Sequence, residues 1–287
     1  MTTERRCEVV ATRSGIPVIL HRASGEVMHP GTGPAVEARD LYVRPSRLEE
    51  RLRQPAPTDG SGADLVLFDV GLGAASNAIA AWRVSESLPS TARRLEIVSF
   101  DHDLDALQLA LEPEHAEAFG FPAHDAAHTA ATTLLAAGRY ETPRTTWRLA
   151  FGEFLDALGR EPAASADVVF WDMFTRGVNP HLWTVSAFHA LRRACRAGAT
   201  LHTYTTATSA RSGLLLGGFA VGVGGRIGDR EQTTIAATHH ADLAQPLDAR
   251  WLARLARSSV AFPTDIPDDD RSRAAALAQV SALPQFR

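Results

Sequence analysis

Leu65-Val66-Leu67-Phe68-Asp69-Val70-Gly71-Leu72-Gly73-Ala74-Ala75-Ser76-Asn77 decides how this 287-residue chain is read. Leu65–Val70 is an apolar run broken only by Asp69, as expected of a strand buried on both faces of a parallel sheet. Ala74–Ser85 is rich in alanine and predicts a helix. Between them, Gly71 and Gly73 let the backbone turn sharply and approach a ligand, because no Cβ stands in the way. Strand, glycine loop and helix in this order predict the ligand loop of a doubly wound α/β fold.

The alternation continues outward. Leu95–Phe100, Thr146–Phe151, Val168–Asp172 and Thr200–Thr205 read as further strands, and Asp103–Leu111, Thr184–Arg196 and Ala207–Leu216 as helices. Thr184 is placed to cap its helix. Phe219–Val223 and Thr233–Ala237 read as a closing antiparallel pair. Right-handed crossovers then put the C-terminal ends of the parallel strands, and with them the ligand, on one side. Upstream, Glu8–Thr12 and Ile16–His21 flank Ser14-Gly15 as a hairpin, Arg44–Arg53 looks helical, and Gln54–Gly62 is a linker by composition. The expected organisation is a β-rich extension over residues 1–53, a binding domain over 63–243 carrying a His- and Ala-rich insertion at 113–146, and a helical tail over 244–287.

Composition narrows the class. The chain has no run of about 20 apolar residues, so no membrane span is expected. Its first residues are polar and lack the apolar core of a signal peptide. Cys7 and Cys195 make no disulfide framework, which points to the reducing cytoplasm. A net charge of −4 argues against a general nucleic-acid coat protein, and all 29 Lys+Arg positions are arginine. His115, His124 and His128 lack Cys or carboxylate partners at a ligand spacing, so no metal is expected; His124 and His128 would share a face if helical.

Carboxylates follow the strands. Asp69, at the end of the first, can meet an ammonium group directly or through water. Asp101, after the second, can accept both hydroxyls of a ribose. Glu153, in Phe151-Gly152-Glu153 after the third, can accept an adenine amino group. A nicotinamide-cofactor loop wants glycine where Ser76 stands, and the acid at Asp69 favours S-adenosylmethionine. The longest motif is Phe170-Trp171-Asp172-Met173-Phe174-Thr175-Arg176-Gly177-Val178-Asn179-Pro180-His181-Leu182-Trp183-Thr184, after the fourth strand. Asp172 offers a carboxylate at the expected reaction centre, and Phe174, Pro180 and Trp183 can wall a pocket for a flat base or shield a sulfonium. A buried carboxylate without partners is costly, so Asp172 is not expected to be mere core.

These motifs resemble the MnmC-type tRNA methyltransferases, and the freestanding MnmD type, over residues 15–237. The likeness rests on Gly25–His29 with Glu37, on the Asp69–Asn77 loop, on Ser99-Phe100-Asp101 and on Phe151-Gly152-Glu153. It continues in Asp172-x-Phe174 with Asn179-Pro180-x-x-Trp183-Thr184, in Thr203-Tyr204-Thr205 and in Arg230-Glu231. The chain departs from the family at Ala75, where the loop has a third glycine, at Thr175 and Arg176, where Ala-Pro is usual, and in Arg226–Glu231, which has no lysine. The resemblance implies a Rossmann-like class I methyltransferase, with S-adenosyl-L-methionine as cofactor. The implied acceptor is the aminomethyl group of a modified wobble uridine in the tRNA anticodon loop. Residues and resemblance together assign Asp69, Gly71, Gly73, Asn77, Asp101, Glu153 and Asp172 to the cofactor, Asp172 to catalysis, and Phe174, Pro180, Trp183, Arg176 and Arg230 to the substrate pocket. Arg176, Arg211, Arg226 and Arg230 are candidate phosphate contacts. No flavin-binding half is found in these residues, so no oxidative step is expected. A same-fold methyltransferase acting on a small-molecule or protein amine, and a nicotinamide-dependent oxidoreductase, are the rival readings.

Overall fold

A computed structural model describes residues 5–29, 33–56, 63–225 and 232–287. Arg226, Arg230 and Glu231, residues 30–32, and residues 57–62 of the expected linker lie outside these residues. The chain forms two compact units, Met1–Ala157 and Leu158–Arg287.

The first unit opens with the expected hairpin. β1 (Cys7–Ala11) and β2 (Pro17–His21) pair antiparallel, with Cys7 opposite His21, and β3 (Glu26–Val27) adds to β2. Pro34 then starts α1 (Pro34–Glu37), where its missing N–H would find no partner anyway. A π-helical turn, Ala38–Val43, leads to α2 (Leu48–Arg53). The helix expected from Arg44 begins only at Leu48, because Arg47 takes a left-handed φ of 53° that a continuous helix cannot contain.

Four strands follow: β4 (Leu65–Val70), β5 (Leu95–Asp101), β6 (Arg139–Glu141) and β7 (Thr145–Phe151). β4, β5 and β7 run parallel in that spatial order, and β6 returns antiparallel on β7. Every residue of β4 is buried, as its apolar run requires. Helices α3 (Ser76–Glu86), α4 (Asp105–Ala110) and α5 (Ala126–Ala137) belong to this unit, and Phe68, Phe100 and Phe154 pack edge to face in its core. The 113–146 insertion resolves into α5, capped by Asp125, and β6. His124 precedes α5 with a left-handed φ of 68°, so it does not stack with His128 on one helix face. His115 instead lies with Glu112 and Glu114, their donor atoms within 4.8 Å, and Glu112 is paired with Arg5 at 2.5 Å.

α6 (Phe154–Leu158) carries the chain into the second unit. There β8 (Ala166–Trp171) is parallel to β9 (Cys195–Thr203), and β10 (Ala220–Gly224) and β11 (Thr233–Ala237) form the antiparallel pair, with β11 on β9. The Thr184 hydroxyl caps α7 (Val185–Ala194) by accepting from the Ala187 N–H at 3.1 Å. Cys195 was expected in this helix; it opens β9 instead. The helix stops at Ala194, and β9 meets β8 across a register shift between Ala166 and Val168, with Gly198 at φ 76°. α8 (Thr208–Leu216), α9 (Ala249–Arg257) and α10 (Asp270–Ser281) complete the helical C-terminal part. No helix among the described residues is long and apolar enough to cross a membrane.

Candidate functional site

In the first unit, burial of β4 carries Asp69 to the end of a strand with no exposed surface. The Ser99 hydroxyl, beside it on β5, donates to Asp69 Oδ2 at 2.7 Å, and the Trp147 indole N–H on β7 donates to Ser99 Oγ at 2.9 Å. An indole N–H can only donate, so the serine proton is directed at the carboxylate. Three parallel strands thereby hold Asp69 beneath the glycine loop.

The loop itself needs positive φ at Gly71 (92°) and Gly73 (50°). Gly71 N–H donates to the Phe100 carbonyl at 3.0 Å, and Gly73 N–H to Asp101 Oδ2 at 3.1 Å. Asp101 Oδ1 accepts from the N–H groups of His102 (2.8 Å) and Asp103 (3.1 Å). Desolvation still dominates and holds the Asp101 carboxyl above the usual carboxylate range, against the opposing pull of these hydrogen bonds. Gly152 N–H reaches the Asp101 carbonyl at 2.9 Å, which sets the Phe151-Gly152-Glu153 turn beside Asp101. Glu153 is exposed, and Phe151 is 55% exposed. Asn77 is buried in the first turn of α3. Gly71, Gly73, Asp101 and Glu153 are thus gathered at neighbouring strand ends, while Asp69 supports them from within.

Ala75 has a left-handed φ of 62° and no exposed surface. The residue that departs from the family's third glycine therefore adopts a glycine conformation. The N-terminal extension also reaches the loop, since a Cβ on Gly73 would lie 3.3 Å from Met28 Sδ. Next to Met28, His29 Nδ1 lies 3.3 Å from Glu37 Oε2, with both side chains largely buried.

In the second unit, the chain leaves β8 at Trp171 and turns at once through Asp172, Met173 and Phe174, all partly buried. The Tyr204 hydroxyl donates to the Met173 carbonyl at 3.0 Å, and the Trp183 indole N–H to the Phe174 carbonyl at 2.8 Å. The two rings meet edge to face at 6.3 Å, and Trp183 also packs on Trp171 and Phe188. Trp183 is only 3% exposed, so in this structure it positions the turn from beneath. Pro180 is exposed at the start of a 3-10 turn, and Arg176 is exposed, donating to Ser209 Oγ at 3.1 Å.

Arg211, read as a candidate phosphate contact, is 3% exposed and gives its N–H groups to Thr234 Oγ1 (2.9 Å) and the Thr233 carbonyl (3.0 Å). Burial, with Arg254 nearby, pushes its pKa down to about 10. It is an interior strut that no reader of a single arginine in a helix could place. Trp147 is a further contributor that sequence reasoning missed, and Met28 and Tyr204 stood in quoted motifs with no role assigned, because tertiary neighbours set what each one does.

The donor set fits S-adenosyl-L-methionine. That molecule presents an ammonium, two ribose hydroxyls and an exocyclic amine, all hydrogen-bond donors, and the first unit offers carboxylates and open glycine backbone at consecutive strand ends. Ser76 Oγ, in the same loop, is buried with no hydrogen-bond partner among the described residues.

Residues 123–239 match the family described as S-adenosyl-L-methionine-dependent methyltransferase. The chain is 33% identical over 245 residues to the tRNA 5-methylaminomethyl-2-thiouridine biosynthesis bifunctional protein MnmC of Ectopseudomonas mendocina, covering 82% of this chain and 35% of that protein. It is 29% identical over 255 residues to the protein of the same name from Methylibium petroleiphilum, covering 86% and 37% respectively. It thus spans about a third of the length of these curated relatives. The crystal structure of MNMC2 from Aquifex aeolicus superposes with a TM-score of 0.69 at 24% identity, covering 98% of this chain and 87% of that one. The fold and loop define a Rossmann-like methyltransferase that uses S-adenosyl-L-methionine. Within that class, the chain belongs to the MnmC-type family.

Proposed function

We propose that this chain methylates a primary amine, the aminomethyl group on a modified wobble uridine of tRNA. The observation that carries the acceptor is the 33% identity over 82% of the chain to a protein named for tRNA 5-methylaminomethyl-2-thiouridine biosynthesis. Asp69, Gly71, Gly73, Asn77, Asp101 and Glu153 are the proposed cofactor residues. Asp172 is assigned to the cofactor and to catalysis, and the Phe174–Pro180 turn to the base.

Held by these residues, S-adenosyl-L-methionine would supply a methyl group activated by its sulfonium, with the neutral thioether as leaving group. The chain contributes position and proton handling. Asp172 orients the amine so that its lone pair faces the methyl carbon. As the new N–C bond forms, the nitrogen sheds a proton, which Asp172 accepts and passes to water. A wobble base belongs to an unpaired loop, where nucleotides are most easily splayed toward a protein pocket. Arg176 is a proposed phosphate contact beside that pocket, and Arg230 is proposed as another from the resemblance alone. The reducing cytoplasm is the proposed compartment, supported by two free, buried cysteines.

The test is transfer of a labelled methyl group to bulk tRNA from cells lacking this gene. Label in a single wobble nucleotide supports the reading. Turnover on small amines with none on tRNA contradicts it and favours a small-molecule acceptor.

A further inference from the structure

α9 reads Ala249-Arg250-Trp251-Leu252-Ala253-Arg254-Leu255-Ala256-Arg257 and lies beyond the residues matched by the family. Trp251 and Leu255 are buried, and Trp251 stacks on Phe286 with ring centroids 6.2 Å apart, which fixes the inward side of the helix. Arg250, Arg254 and Arg257, spaced by four and then three residues, share another side, and all three are exposed. Their three guanidinium groups follow one another along about 10 Å of helix axis.

Like charges at this spacing destabilise a helix unless something opposite meets them. Among the described residues, no carboxylate is paired with any of the three. Four neighbouring acids, Asp248, Asp265, Asp268 and Asp269, are engaged elsewhere. Asp248 caps α9 through the N–H groups of Arg250 (3.0 Å) and Trp251 (3.1 Å). Asp265 accepts from the backbone of Val185 (3.1 Å) and Ser186 (3.0 Å) at the start of α7. Asp268 pairs with Arg273 at 2.9 Å, and Asp269 caps α10. Arg254 also lies close enough to bear on the buried, positively charged Arg211 of α8. Positive charge is therefore concentrated on one face of a chain whose net charge is −4.

We propose that the Arg250, Arg254 and Arg257 face of α9 is a docking surface for the phosphate backbone of RNA, holding the body of the tRNA whose wobble base is methylated. The inference rests on the reading of tRNA as acceptor. The planar guanidinium fork matches phosphate oxygens two at a time, and a row of such forks matches a row of phosphates. Contacts of this kind carry affinity and register but no base preference.

The experiment compares wild type with R250Q/R254Q/R257Q and with the charge-preserving R250K/R254K/R257K. Binding of tRNA is followed by fluorescence anisotropy across a salt series, methyl transfer is measured alongside, and circular dichroism checks folding. In the glutamine variant, the slope of log affinity against log salt flattens by about 2–3, roughly one per lost phosphate contact. KM for tRNA rises about tenfold or more, while kcat and binding of S-adenosylhomocysteine stay as in wild type. The lysine variant keeps most of the slope. A glutamine variant with wild-type slope and KM overturns the docking surface and leaves the acceptor reading standing. A wild type that binds tRNA with a salt slope lost in the glutamine variant, yet methylates no tRNA, upholds the surface and removes the acceptor reading. Wild type that ignores tRNA but binds phosphatidylserine vesicles through these arginines overturns the proposal in favour of a membrane surface.

Discussion

The glycine loop after β4 and the turn after β8 are built by opposite means. The first is held by carboxylates: Asp101 takes the Gly73 N–H, and Asp69 is fixed by Ser99 and Trp147. The second presents a carboxylate, Asp172, on a turn whose next two carbonyls are held by the aromatic donors Tyr204 and Trp183. In the first, acids are the acceptors that match a donor-rich ligand. In the second, aromatic donors clamp the backbone that follows the acid. The difference matches the two proposed tasks, holding a cofactor and handling a proton.

Gly73→Val breaks the first side most severely. It puts a β-branched residue at φ 50° and a Cβ 3.3 Å from Met28 Sδ. Strain of about 1–3 kcal/mol in the loop translates to roughly 5- to 150-fold weaker cofactor binding, read by calorimetry with S-adenosylhomocysteine. Unchanged affinity would remove the loop from the cofactor site.

Asp101→Asn and a pH series sharpen the same side. Burial raises the Asp101 pKa, so this group favours the apo fold most below the ordinary carboxylate value of about 3.9, and that contribution is lost as pH rises through the raised pKa. Cofactor binding runs the other way, because ribose hydroxyls donate to the ionised form, so affinity should fall as pH drops through the raised pKa. Asp101→Asn should weaken cofactor binding by about 10-fold or more, the worth of hydrogen bonds to a charged group, and flatten that pH dependence. At neutral pH its apo melting temperature should equal or exceed wild type. A parallel loss of apo stability would mean the carboxylate serves the fold alone.

Tyr204→Phe tests the other side by deleting one hydroxyl. Loss of a hydrogen bond worth about 1 kcal/mol predicts roughly fivefold lower kcat with unchanged cofactor affinity. Equal kcat would show that the clamp does not govern Asp172. Ala75→Gly is the mildest change. Relief of left-handed strain, set against glycine's greater flexibility, predicts a gain of about 0.5–1 kcal/mol in denaturant unfolding. A loss of stability there would show that the buried Ala75 methyl matters more than its backbone.

Much of this was legible in sequence where the signal is local. The apolar run at Leu65–Val70, the loop glycines, the Thr184 cap and the hairpin around Ser14-Gly15 each appear as expected. Carboxylates at strand ends could be named because strand ends can be found. What stayed hidden depends on tertiary neighbours. Nothing near Trp147 signals that it meets Ser99 across a strand, nor near Tyr204 that its hydroxyl reaches Met173. An arginine in a helix reads as surface, yet Arg211 is interior because two threonines of β11 receive it. Cys195 looked helical because apolar and small residues around it suit either state, and pairing with β8 decides for strand.

The central claim is that Asp172 contributes far more to proton handling than to the cofactor's affinity. Single-turnover methyl transfer by Asp172→Ala, with S-adenosylhomocysteine binding measured on the same sample, tests it most directly. The account predicts a loss of about 10²–10⁴-fold in rate with cofactor affinity near wild type. Near-normal turnover, or a loss of rate fully explained by lost cofactor binding, would contradict it.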